Sequence, residues 1–311
     1  MNTAFIFPGQ GSQAIGMAKD LYNNFETARE VFAEIDEAIK QNLSKVIFEG
    51  PIEDLTLTEN TQPALMAASM AFLAVIKKQS GKSIGDLCSL LAGHSVGEYS
   101  ALCAAETISI SDAAKILRIR GNAMQNACPK GEGAMAACLG LNIDTIETIV
   151  LDANNHGICD IANDNTSSQV VISGELQAVE YASNKVTEAG GRAIKLNVSG
   201  PFHSRLMKNA ESVMQANLDR LNFNEPLVPV VLNVTALPSA DVQQIKTSLV
   251  NQISGRVRWR EIITYFATNN IDTLVEIGSG KVLTTMLRKL DHNFTLKNVG
   301  NIVELEDFLR S

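Results

Sequence analysis

The five residues Gly93-His94-Ser95-Val96-Gly97 constrain this chain more than any others. A G-x-S-x-G run fits a strand that turns sharply into a helix. The turn is so tight that a Cβ on either flanking glycine would collide with a neighbouring element, and the serine is lifted clear of it. The flanking residues agree: Asp86-Leu87-Cys88-Ser89-Leu90-Leu91-Ala92 reads as a short buried strand and Glu98 to Ala105 as a helix. Such a helix aims its N-terminal N–H groups at any developing oxyanion. An acyl-enzyme is therefore the first hypothesis, although the pentapeptide alone also describes a glycine-rich turn with a capping serine.

Two further segments supply what an acyl-transfer site needs. Ala4-Phe5-Ile6-Phe7 reads as a first buried strand running into Pro8-Gly9-Gln10-Gly11-Ser12-Gln13. A glycine-bracketed glutamine at the carboxyl end of a strand is placed to offer its backbone N–H as a second oxyanion donor. The chain has four histidines: His94, His156, His203 and His292. His94 follows the elbow geometry and projects away from the serine, while His156 and His292 sit in polar, Asn- and Asp-flanked stretches that read as surface loops. His203, behind Ser199-Gly200-Pro201-Phe202 in a rigid turn, is the best general base on offer.

Together these strings resemble a known family. Phe7-Pro8-Gly9-Gln10-Gly11-Ser12-Gln13, Gly93-His94-Ser95-Val96-Gly97-Glu98, Arg120-Gly121, Gly200-Pro201-Phe202-His203-Ser204 and Glu276 to Leu283 are similar, in order and spacing, to the malonyl-CoA:acyl carrier protein transacylases of fatty-acid synthesis. The resemblance implies a Ser95–His203 dyad, with the backbone carbonyl of Gln252 orienting the imidazole. It also implies an oxyanion hole from the N–H groups of Gln10 and Val96, and Arg120 as the residue that binds the malonyl carboxylate. Asn165 matches a position near the substrate. Phe202 before the histidine and Val96 after the serine resemble malonyl-selective rather than methylmalonyl-selective relatives. Two departures stand out: Thr166-Ser167-Ser168-Gln169 replaces a Ser-Pro-Gly-Gln type loop, and Ser279 stands where a proline is frequent.

The chemistry supports these roles independently. A serine hydroxyl is a weak nucleophile at neutral pH and needs a base, and a planar guanidinium binds a carboxylate through two parallel hydrogen bonds that an ammonium cannot reproduce. A serine hydrolase would share elbow and histidine, and a non-catalytic carrier-binding module would lack nucleophile or base. Gln10 and Arg120 argue against the first; Ser95 and His203 argue against the second. The implied reaction uses malonyl-CoA, a CoA thioester, as donor and the phosphopantetheine thiol of acyl carrier protein as acceptor, with no metal and no bound cofactor.

Composition narrows the setting. At 311 residues and 45% hydrophobic content the chain can bury a large core. The N-terminal apolar residues lack a basic leader, and the longest apolar stretch, Pro63 to Ile76, is too short to span a bilayer, so a cytoplasmic protein is expected. The five cysteines, Cys88, Cys103, Cys128, Cys138 and Cys159, are scattered without C-x-x-C pairs, which reads as reduced thiols rather than a zinc site. A net charge of −8 disfavours nucleic acid or an anionic membrane as partner. It also means that an acidic carrier protein needs a local basic patch, for which Arg192 and Lys195, Arg205 and Lys208, and Arg256, Arg258 and Arg260 are the candidates.

Strand and helix signals alternate to about Ala127, with an acidic amphipathic helical region from Glu26 to Leu43. After the linker Pro129 to Gly133 the pattern becomes β-α-β-β-α-β, a ferredoxin-like order. The expected fold class is α/β: an α/β-hydrolase-like large lobe from 1–127 and 197–311, with a ferredoxin-like small lobe inserted at 128–196.

Overall fold

The computed structural model describes residues 2–288, 290 and 292–310. It is a mixed α/β fold built on two sheets. The strands are β1 (Thr3–Phe7), β2 (Leu90–Gly93), β3 (Gly133–Leu139), β4 (Cys159–Thr166), β5 (Gln169–Glu175), β6 (Arg192–Lys195), β7 (Val230–Val231), β8 (Pro238–Ser239), β9 (Thr273–Ile277) and β10 (Thr295–Val299). The six-stranded sheet runs β10-β9-β1-β2-β7-β8, parallel except for the antiparallel β7–β8 edge. The four-stranded sheet runs β4-β5-β3-β6 and is antiparallel throughout.

Parallel strands buried on both faces need continuous apolar runs, and Ala4-Phe5-Ile6-Phe7, fully buried, meets that requirement. The register then decides where chemistry can occur. Phe7 stands opposite Gly93, so the loops leaving β1 and β2 emerge side by side at the carboxyl edge of the sheet. The His94 N–H donates to the Phe7 carbonyl at 3.0 Å and fixes that juxtaposition.

Several boundaries differ from the sequence expectation, each for an identifiable reason. The expected strand Asp86–Ala92 is confined to Leu90–Gly93, because Ser83 and Asp86 form a reciprocal capping box that starts a short helix at Ile84–Leu87. The amphipathic region from Glu26 ends at Ile39, where Lys40 turns left-handed with φ 52°; a second helix, Leu43–Glu49, starts under an Asn42 cap. The stretch Pro63 to Ile76 lies inside a longer helix, Thr58–Ser80, which is buried on nearly all sides and ends at Gly81 with φ 67°.

The small sheet has its own core, in which Cys138, Ile161, Val170 and Ile172 pack against Ile146, Val179 and Val186 of the helices Ile143–Ala153 and Leu176–Glu188. Its strand β4 runs on from the apolar Ile161-Ala162 through the polar residues Asn163, Asp164, Asn165 and Thr166, all buried. These residues remain extended because β4 also bonds the large sheet's side of the molecule. The Asp164 N–H donates to the Val257 carbonyl at 2.9 Å and the Val257 N–H to that of Ala162 at 2.8 Å. Arg260 then grips the fully buried Asp164 carboxylate through Nε (2.9 Å) and Nη2 (2.7 Å). Thr166-Ser167-Ser168-Gln169 forms the tight connection from β4 to β5.

All five cysteines are buried and unpaired, and no helix among the described residues is long and apolar enough to cross a membrane.

Candidate active site

Ser95 sits at the apex of the connection between β2 and the helix Gly97–Ala104 with φ 51°, a left-handed conformation that is costly for a residue with a side chain. The flanking glycines make the apex possible. A Cβ on Gly93 would lie 1.9 Å from the Gly97 carbonyl group, and one on Gly97 would lie 2.2 Å from the Phe7 oxygen. Helix and strand are packed backbone to backbone, and the serine is left facing a cavity of about 120 Å³.

His203 meets it there. Its Nε2 is 2.7 Å from Ser95 Oγ, and its Nδ1 is 2.8 Å from the Gln252 carbonyl oxygen. A carbonyl can only accept, so Nδ1 carries the proton and Nε2 presents a lone pair to the serine hydroxyl. The turn holding the imidazole is fixed by Ser204 Oγ donating to the Pro201 carbonyl at 2.7 Å, and by Asp160 on β4, which accepts from the Arg205 N–H (2.8 Å) and its Nε (2.9 Å). Burial, and then the nearby Arg120 charge, lower the His203 pKa from 6.5 to about 3, so the ring is neutral at physiological pH.

Arg120, on the helix Ile110–Asn126, is 1% exposed. Its Nη2 donates to Gln252 Oε1 at 2.8 Å and lies 3.4 Å from Ser95 Oγ, and its guanidinium carbon stands 5.7 Å from the Tyr99 ring centroid. Burial pulls its pKa down, but from a starting point so high that the charge persists. Its Nε is buried with no hydrogen-bond partner. A buried cation with an unused donor, beside a nucleophile, fits an anionic group on a bound molecule.

The remaining expected residues are placed as follows. Gln10, Val96 and Phe202 line the cavity with Ser95, Arg120 and His203. The backbone N–H groups of Gln10 and Val96 engage no acceptor among the described residues. Ser279 Oγ donates to the Ser12 carbonyl at 2.6 Å and so steadies the Gln10 loop. Asn165 is not among the lining residues: its Oδ1 is 2.8 Å from His94 Nε2, and His94 packs edge-on against Trp259. His94 itself lines the cavity, as does Asn163, so Asn165 stands one residue behind the lining.

Sequence reasoning missed the polar floor beneath the dyad. Asn233 Oδ1 accepts the Ser95 N–H at 2.7 Å, and its Nδ2 donates to the Gly93 carbonyl at 2.7 Å. Glu98, fully buried in the first turn after the elbow, accepts at Oε2 from the Asn233 N–H (2.9 Å) and from Gln252 Nε2 (2.9 Å). Burial raises its carboxyl pKa to about 7. The available signals were a carboxylate directly behind the elbow glycine and an asparagine following the buried pair Val230-Val231.

The acyl transferase domain family matches residues 4–302. The malonyl CoA-acyl carrier protein transacylase of Bacillus subtilis (strain 168) is 43% identical over 299 residues, covering 96% of this chain and 92% of the relative. The chain belongs to the malonyl CoA-acyl carrier protein transacylase family. The relative of that name in Escherichia coli (strain K12) is 40% identical over 293 residues, 94% of either chain. The crystal structure of an acyl-carrier-protein-S-malonyltransferase from Bartonella henselae superposes with a TM-score of 0.97 at 50% identity, covering 100% of this chain and 99% of that one. A malonyl-transacylase in complex with a type II PKS acyl-carrier protein superposes with a TM-score of 0.96 at 37% identity, covering 100% of this chain and 99% of that one.

The neutral His203 of this family member has a consequence for stability. Because its folded-state pKa is lowered, the unfolded chain takes up the proton first. The ring's contribution is fully present above pH 6.5 and is lost as pH falls from 6.5 toward about 3. Urea midpoints of the wild type and His203→Gln, compared at pH 7 and pH 4.5, should converge at the lower pH, the difference changing by up to about 1.4 kcal/mol per pH unit. Parallel pH profiles would show that the imidazole is not held neutral.

Proposed function

We propose that Ser95 carries a malonyl group from malonyl-CoA to the phosphopantetheine thiol of an acyl carrier protein, for fatty-acid synthesis. The observation that carries this reading is Arg120, a buried cation 3.4 Å from the nucleophilic oxygen. Malonyl-CoA differs from acetyl-CoA by a terminal carboxylate, and burying that charge without a partner costs several kcal/mol.

The malonyl carboxylate pairs with Arg120, and the thioester carbonyl oxygen lies against the N–H groups of Gln10 and Val96. His203 Nε2 takes the Ser95 Oγ proton as the oxygen attacks, and the oxyanion forms on those two donors. Collapse expels CoA as its thiol, protonated by His203, and leaves malonyl-Ser95. In the second half-reaction His203 takes the proton of the carrier's thiol, whose sulfur attacks the ester, and returns it to Ser95. Nucleophile, base and oxyanion donors supply all the chemistry this exchange requires, so no bound cofactor is invoked. Met124, Met135, Leu196, Val198 and Phe202 give the cavity apolar walls, which disfavour water as the acceptor. The His203 loop and the elbow come from the large sheet's side, and Met135 and Asn163 from the small sheet. We read 128–196 as a ferredoxin-like lobe inserted into an α/β-hydrolase-like lobe, 1–127 and 197–311, in a cytoplasmic enzyme. The strand order β4-β5-β3-β6 and the elbow at the carboxyl edge of a parallel sheet support that reading.

Truncating one member of a buried charge pair typically costs about 2–5 kcal/mol. Arg120→Ala should therefore lose malonyl transfer by at least about 30-fold while retaining acetyl transfer, and Arg120→Lys should recover it only in part. Steady-state assays with both CoA donors check this. An unchanged malonyl-to-acetyl ratio in Arg120→Ala would place the carboxylate elsewhere.

For carrier docking we favour the basic residues that have no carboxylate partner among the described residues. Arg205 pairs with Asp160, Lys208 with Glu211, Arg256 with Glu147, Arg258 with Glu261 and Arg260 with Asp164. Arg192 and Lys195 remain, exposed on β6 at the edge of the small sheet, next in the chain to the cavity residue Leu196. Charge reversal at both should slow the carrier half-reaction, more so at low salt, and leave acylation by malonyl-CoA within about twofold. Equal slowing of both half-reactions would remove β6 from the docking surface.

A further inference from the structure

Gln252 touches the site twice. Its main-chain carbonyl accepts a hydrogen bond from His203 Nδ1–H, and its side-chain Oε1 accepts one from Arg120 Nη2. The second contact depends on which way the side-chain amide faces. An amide has a donor end and an acceptor end, and turning it over would set an NH2 group against a guanidinium, donor against donor. Arg120 would then lose the 2.8 Å acceptor of its Nη2, leaving that nitrogen with the longer 3.4 Å contact to Ser95 Oγ.

Both hydrogens of the Gln252 amide have acceptors. Nε2 donates to the Ser95 carbonyl at 3.0 Å and to Glu98 Oε2 at 2.9 Å. The Ser95 carbonyl belongs to the elbow backbone and Asn233 Oδ1 lies farther off at 3.4 Å, so Glu98 makes the shorter of the two side-chain contacts that specify the amide's orientation. Glu98 is itself fixed, fully buried, with Oε2 also accepting the Asn233 N–H. Among the described residues its Oε1 has no hydrogen-bond partner, so the Arg120 charge acts on Glu98 only from a distance and not through a direct hydrogen bond.

We propose that Glu98 is a positioning residue for donor selection: through the Gln252 side-chain amide it holds the Arg120 guanidinium in the orientation that reads the malonyl carboxylate. Glu98 touches neither the substrate cavity nor the reacting atoms. Its effect falls on the difference between malonyl and acetyl donors, whereas the dyad serves both through the backbone carbonyl of Gln252, which the amide's orientation does not move. The inference rests on Arg120 being the carboxylate reader.

The test compares Ser95 acylation by malonyl-CoA and acetyl-CoA in Glu98→Ala, Glu98→Asp, Glu98→Gln and Arg120→Ala. Glu98→Ala should lower the malonyl-to-acetyl ratio of kcat/KM at least tenfold, chiefly through a raised KM for malonyl-CoA. Glu98→Asp, which draws the carboxylate back by one methylene, should lower it in the same direction by less. Glu98→Gln keeps an acceptor oxygen for Asn233 and Gln252 and sets its NH2 where Oε1 has no partner, so it should stay within about threefold of wild type. Should Glu98→Ala fail to fold, the Asp and Gln variants decide the matter alone. A ratio unchanged in Glu98→Asp, or lost in Glu98→Gln, overturns the proposal, as does a Glu98→Ala that slows both donors equally. If Arg120→Ala itself keeps the wild-type ratio, it is the assignment of Arg120 that fails.

Discussion

Everything at this site hangs from the left-handed backbone at Ser95. A side chain at φ 51° is held there because Gly93 and Gly97 let a strand and a helix approach to distances at which no Cβ fits. The Ser95 N–H, which a strained apex would otherwise leave without an acceptor, is taken by Asn233. The strain and its compensation are two sides of one arrangement. The serine can neither relax into the helix nor retreat into the sheet, and Oγ stays 2.7 Å from its base.

Beneath that apex, Gln252 gives the site a single mechanical reference. One residue holds the His203 imidazole through its backbone and the Arg120 guanidinium through its side chain, so the spacing between the two does not rely on two independently mobile loops. The arrangement also couples the two electrostatically. The Arg120 charge is one reason the His203 pKa is low, and a bound carboxylate would offset that charge, making the imidazole a stronger base when a malonyl donor is in place than when the cavity is empty.

How far the sequence could be read depends on whether the residues concerned are neighbours in the chain. The elbow, the Gln10 loop and the Pro201-Phe202-His203 turn are contiguous strings whose glycines and prolines state the backbone shape, and each lies at the cavity. Arg120 was legible through its motif, not through its helix, where Lys115 and Arg118 carry the same charge. Glu98, Asn233 and the amide of Gln252 were illegible as a group, because they come together only when β7 pairs with β2 and the helix Val242–Asn251 ends beside the elbow. Asn165 was read as lying near the substrate; it is bonded to His94, a cavity residue, a pairing that depends on how far β4 continues and was not legible in the chain. The strand assigned to Asp86–Ala92 was too long for a local reason, a capping box that outweighed apolar pattern. Most cations of the three basic clusters pair with Asp160, Glu211, Glu147, Glu261 and Asp164, which no linear reading of charge reveals.

The central claim is that Ser95 is the covalent waystation between a malonyl thioester and a carrier thiol. The most direct measurement is peptide-mapped mass spectrometry of the protein mixed with malonyl-CoA, freed of excess donor, and then given holo-acyl carrier protein. The account predicts a malonyl ester on the peptide containing Ser95, and its transfer to the carrier's phosphopantetheine thiol with return of an unmodified serine. A malonyl group found on another residue, or an ester on Ser95 that is released as free malonate without loading the carrier, would contradict it.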